Sequence, residues 1–115
     1  MATVEVHATP NDTFEDQQSN TPETTIDAGD AVKWVNVDSD EHTLVSDNVS
    51  PFDTLTPPFN GENIPGSPTG ISRTFDRARN YGYHCGIHGG NPGEKTGMYG
   101  IVHVRSRAGS AQYLS

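Results

Sequence analysis

Cysteine is almost absent: Cys85 is the only one in 115 residues. A single thiol excludes an internal disulfide and leaves three roles for the sulfur: a buried structural thiol, a reactive thiol or a metal ligand. Cations are scarce as well. Seven Lys and Arg stand against 15 Asp and Glu, for a net charge of −8. That balance argues against nucleic-acid binding, which needs Lys and Arg on phosphates, and suits a basic protein partner instead. Hydrophobic residues make up only 31% of the chain, and no run is long or apolar enough to span a bilayer. No charged-then-apolar segment opens the chain, and neither a helical apolar period nor an internal repeat can be found.

Turn formers are plentiful, with 12 Gly and 8 Pro, and they separate short alternating runs. Thr3–Ala8, Thr24–Asp27, Ala31–Val37, His42–Ser46, Gly70–Phe75, Asn80–Cys85 and Gly100–Val104 read as strands. Val32 and Trp34 share one face of their strand, as do Tyr81, Tyr83 and Cys85 of theirs, with Gly82 and His84 opposite. Pro10–Pro22 reads as a loop, and so does Asp47–Pro68, with Phe52 and Phe59 as anchors into the core. The expectation is one all-β domain over residues 1–104, a Greek-key β-sandwich of about seven to eight strands, followed by a polar tail or linker over 105–115.

The chemistry gathers in Tyr83-His84-Cys85-Gly86-Ile87-His88-Gly89-Gly90-Asn91-Pro92-Gly93-Glu94-Lys95-Thr96-Gly97-Met98. One cysteine, a histidine three residues later and the only internal methionine form a soft, sulfur-containing donor set. With His42 from a neighbouring strand they make up two His, one Cys and a weak axial Met, the donor set of a mononuclear blue-copper electron-transfer site. Bland readings stand beside each residue. Cys85 alone is more often a small buried hydrophobe, Met98 ordinary core filler, His42 a surface histidine after the charged turn Asp38–Glu41. Zinc rarely uses methionine, a cysteine hydrolase needs a base and an oxyanion site as well, and a binuclear copper centre needs two cysteines.

Residues 24–104 resemble the cupredoxin family, in particular plastocyanin-like and halocyanin-like small blue copper proteins. The resemblance rests on Asp27-Ala28-Gly29-Asp30 leading into Val32-Lys33-Trp34-Val35-Asn36, on His42-Thr43-Leu44, on Phe75, on Tyr81-Gly82-Tyr83-His84-Cys85-Gly86-Ile87-His88, and on Gly97-Met98-Tyr99-Gly100-Ile101-Val102-His103-Val104. It implies His42, Cys85, His88 and Met98 as ligands of one copper ion. It also implies a non-enzymatic electron carrier, a monomer that works outside the cytoplasm and exchanges electrons with redox proteins such as a basic cytochrome or a copper oxidase. Two positions depart from the family pattern. Residues 89–97 make a longer loop before Met98 than many relatives carry, and Glu94 within it is an alternative axial donor. Thr43 stands where several relatives have Asn, a position that often ties ligand loops together.

Two other function classes use the same residues: a copper-delivery module, and a redox domain cut from a larger multicopper enzyme, in which His84 and His103 would ligate further copper. Alternation turns His84 away from Cys85, so it is expected to be a plain surface or sheet-face histidine. The acidic residues Asp38, Asp40, Glu41 and Asp47 around His42 are either a solvated turn or a docking patch for a cationic partner.

Overall fold

Alternation decides which side chains go inside. In the computed structural model, which describes residues 2–107, Val4, Val6 and Ala8 are buried on β1 (Thr3–Ala8), and Val32 and Trp34 on β4 (Ala31–Asn36). Tyr81, Tyr83 and Cys85 are buried on β8 (Asn80–Gly89), and Val102 and Val104 on β9 (Gly97–Arg105). The remaining strands are β2 (Phe14–Asp16), β3 (Glu23–Asp27), β5 (Thr43–Asp47), β6 (Asn60–Asn63) and β7 (Ile71–Thr74).

They form two sheets, one ordered β2-β1-β4-β7 and the other β3-β9-β8-β5-β6. The β1–β4 and β3–β9 pairs are parallel and the rest antiparallel. The inner faces meet around Trp34, whose ring stands edge-on to Phe59 at 5.4 Å and to Tyr83 at 5.3 Å. Truncating a buried Trp to Ala typically costs about 3–5 kcal/mol, so Trp34 is the keystone of the sandwich.

The all-β expectation holds, with nine strands among the described residues. The two additions lie in stretches read as loops, and each lacks the pattern a sequence reader uses. β2 is three residues long, too short to show a period. β6 is exposed at every position and is held to β5 by backbone pairing alone. Phe59 enters the core as expected, whereas Phe52 is only half-buried and lies against Gly82 on the outer face of the five-stranded sheet. The expected tail is described as far as Arg107, which donates hydrogen bonds to Asp30 and to the Ala28 carbonyl. Residues 108–115 lie outside the described residues. No helix among the described residues is long and apolar enough to cross a membrane.

Candidate metal centre

The strand order β9-β8-β5 puts three chemistry-bearing strands side by side. His42 immediately precedes β5, Cys85 and His88 lie on β8, and Met98 lies on β9. The β8–β9 ladder runs in regular register to His84↔Tyr99, then resumes at Gly89↔Gly97. Four residues, 85–88, therefore stand opposite one, Met98. The surplus must bulge out of the ladder, and this folds His88 back toward Cys85 on the rung that Met98 shares.

The result is a compact donor cluster. The Cys85 Sγ lies 3.9 Å from Nδ1 of His42 and 3.7 Å from Nδ1 of His88. Ligand atoms of all three residues lie within 4.8 Å of one another. His42, Cys85 and Met98 are buried; the His88 side chain is 29% exposed. Met98 belongs to the core cluster beside Cys85. Glu94 lies in an exposed turn and is in none of the metal-capable groups among the described residues.

Neighbouring groups prepare the donors. Nε2 of His42 meets Asp38 Oδ2 at 2.8 Å. With that nitrogen donating to the carboxylate, the neutral ring offers the Nδ1 lone pair to a metal beside the sulfur, and the protonated ring offers Nδ1–H to the thiolate. Burial alone would lower the His42 pKa, but its bonds to Cys85 and Asp38 outweigh that and raise it. The His42 hydrogen bond in turn holds the Asp38 carboxyl below its ordinary range, against the opposing effect of burial. Burial likewise opposes ionisation of Cys85. The Thr43 N–H (3.5 Å from Sγ), the His42 imidazole and the N–H groups of His88 and Ile87 prevail, and the thiol is lowered from 9.0 to about 6. A thiolate and two imidazole lone pairs converging on one point, with a buried thioether alongside, fit the soft donor set copper takes.

The comparisons agree. A family description for copper-binding proteins of the plastocyanin/azurin type matches residues 4–105. The chain belongs to the plastocyanin/azurin family of copper-binding proteins. Copper is its cofactor. Solved structures of amicyanin share the cupredoxin fold. The one from Paracoccus versutus is 27% identical, with a TM-score of 0.62 over 90% of this chain and 81% of that one. A reduced Cu(I) form of an amicyanin mutant at pH 4 is 24% identical, with a TM-score of 0.63 over 90% and 82%. No curated protein sequence matches the chain.

Within this cupredoxin frame, several supporting residues carry no sequence signal of their own. Asp38 was visible only as part of an acidic turn, four residues before His42. Thr43 ties the two ligand-bearing segments together: its Oγ1 accepts the Gly86 N–H at 2.9 Å while its own N–H points at Cys85 Sγ. Asp12, on the β1–β2 turn, brings a half-exposed carboxylate to 3.8 Å from His88 Nδ1, a contact no sequence spacing announces. Two expectations need correction. His84 is not a surface residue: it is 4% exposed, and its Nδ1 lies 2.7 Å from Oδ1 of Asp47. Asp47 is itself 2% exposed, so it is no part of a surface patch. Both lie on the outer face of the sheet, as alternation implied, but residues 49–52 and Gly93 pack over that face.

Proposed function

We propose that the protein is a mononuclear blue-copper electron carrier with His42, Cys85 and His88 as strong ligands and Met98 as the weak axial one. The observation that carries this reading is the convergence of Cys85 Sγ with Nδ1 of both histidines on adjacent strands, with one histidine buried and the other at the surface. Copper held there supplies a one-electron Cu(II)/Cu(I) couple. The chain's own contribution is to keep the donors still, because small rearrangement makes for fast electron exchange. Asp38 fixes the His42 ring, and Thr43 ties the His42 segment to the turn after Cys85. Burial of His42, Cys85 and Met98 keeps water from the sulfur. His88, part-exposed beside Ile87, is the exit for the electron.

That exit has the half-exposed Asp12 beside it, the exposed Asp40 and Glu41 directly precede His42, and no Lys or Arg lies within residues 9–13 or 37–42. A cationic redox protein such as a basic cytochrome complements it, and a brief, salt-sensitive encounter suits electron exchange. The carrier works as a monomer outside the cytoplasm and transforms no substrate. Asn80 and Glu23 engage both ring nitrogens of His103, which weighs against recruiting that histidine for a further copper. The deciding measurement is an optical and electron paramagnetic resonance spectrum of the copper-loaded protein with a reversible redox titration, repeated for Met98→Leu and Met98→Gln. An intense thiolate-to-Cu(II) band, reversible cycling and a spectrum altered in both variants are expected. A protein that binds copper but does not cycle reversibly overturns the carrier reading. Spectra unchanged in both variants remove Met98 from the ligand set.

A further inference from the structure

Nine residues, Gly89–Gly97, separate His88 from Met98, so a long loop joins two side chains whose positions the copper reading requires to be fixed. Closure entropy rises with loop length, and a chain that rigidifies a site must hold such a loop by something other than its own brevity. The loop has internal ties: Gly89 pairs with Gly97, and the Asn91 N–H donates to Thr96 Oγ1 at 3.1 Å. Two further ties reach the body of the protein. One is the exposed Lys95–Glu23 pair at 2.9 Å, a kind of contact that contributes little. The other ends on a buried carboxylate: the Gly93 N–H donates to Oδ2 of Asp47 at 3.1 Å in a part-buried bond, while Oδ1 of the same carboxylate meets His84 Nδ1 at 2.7 Å.

We propose that Asp47 and His84 form a clasp that positions the 89–97 loop, and through its two ends sets His88 and Met98 about the metal. This rests on the copper reading above. His84 is the chain neighbour of Cys85, so the clasp and the thiolate share one rigid stretch of β8 on opposite faces of the sheet. The space around the clasp is shaped for it. A Cβ at Gly82 would come within 2.5 Å of the Phe52 ring and 3.0 Å of Asp47 Oδ2. Gly93 has φ +81°, and a Cβ there would lie 2.8 Å from the Ser50 carbonyl oxygen. Only glycine allows the loop backbone to approach the carboxylate so closely. Asp47, itself buried and shared between a buried imidazole and a part-buried loop amide, is a stronger tether than the exposed Lys95–Glu23 contact of the loop.

The test compares the wild type with Asp47→Asn, which keeps the shape but removes the charge, and with Lys95→Ala, which removes the exposed tie. In the copper-free wild type, the Gly93 amide should exchange hydrogen slowly; exchange as fast as an unprotected amide overturns the clasp, whatever any variant does. In Asp47→Asn that protection should fall about tenfold or more, as loss of a hydrogen bond to a charged acceptor implies. The copper-loaded variant should retain its thiolate band but show altered copper hyperfine splitting and a shifted reduction potential, with Lys95→Ala matching wild type in both. An Asp47→Asn protein that melts earlier yet keeps its spectrum and potential shows a merely structural pair and overturns the proposal. Absence of a thiolate-to-copper band in the wild type removes the copper reading instead, and Gly93 exchange still reports on the loop.

Discussion

The two histidine-bearing segments that meet at Cys85 are built on opposite plans. The 38–43 segment is short and locked. His42 is wholly buried, its Nε2 is held by Asp38, and the next residue, Thr43, points its N–H at the sulfur. The 86–98 segment is long and open at its tip. His88 is 29% exposed, its nearest carboxylate is the exposed Asp12 at 3.8 Å, and nine residues of loop follow it. One side of the site therefore fixes geometry and the other meets the outside. An electron carrier needs both, because rigidity lowers reorganisation while only an exposed edge lets a partner come close.

The comparison can be broken most severely at the atom both segments share. Cys85→Ser removes the thiolate, and the intense visible band should vanish entirely on copper loading, as absorbance will show. The histidines should then separate the two plans. His88→Gly opens a gap toward solvent that added imidazole can enter, so the copper spectrum should be restored in its presence. His42→Gly leaves its gap deep in the protein, and imidazole should restore little. Equal rescue of both would contradict the locked-versus-open contrast.

A smaller effect is expected at Asp38→Asn. The His42 ring would lose a charged partner that sets its tautomer, and copper affinity should drop about 10–100-fold, measurable by competition with a chelator. The corresponding change beside His88, Asp12→Asn, should move affinity far less, because that carboxylate is half-exposed and screened.

The mildest test is titration of the copper-free protein. With the Cys85 thiol lowered to about 6, ultraviolet absorbance should follow thiolate formation near that pH rather than near 9. A folded pKa below the unfolded one stabilises the fold above the unfolded value, and this contribution is lost as pH falls through the folded one. From this group alone, stability of the copper-free protein should thus climb between about pH 6 and pH 9. Thr43→Pro, which deletes the N–H aimed at the sulfur, should carry the titration upward.

Much of the molecule was legible in the chain. Period-two alternation in Thr3–Ala8, Ala31–Val37 and Asn80–Cys85 is a local property, set by which side chains can face a core; the inward residues lie where it put them, while Val35, Gly82 and His84 on the opposite faces are buried as well. The proposed donor set was suggested for a similar reason: Cys85, His88 and Met98 lie on one hairpin, and their chemistry is peculiar enough to point to copper. Short or fully exposed strands such as β2 and β6 left no such trace, since backbone pairing with a neighbour, not a side-chain pattern, makes them strands.

What the chain could not disclose are the contacts between residues far apart in it. That Asp12 stands by His88, and that Asp47 joins a buried His84 to the Gly93 amide, depend on how sheets stack and loops return. An aspartate in an acidic turn reads the same whether it faces water or an imidazole. Ligand identity follows from side-chain chemistry, which each residue carries with it. Ligand orientation and acidity follow from neighbours and burial, which exist only once the strands have come together.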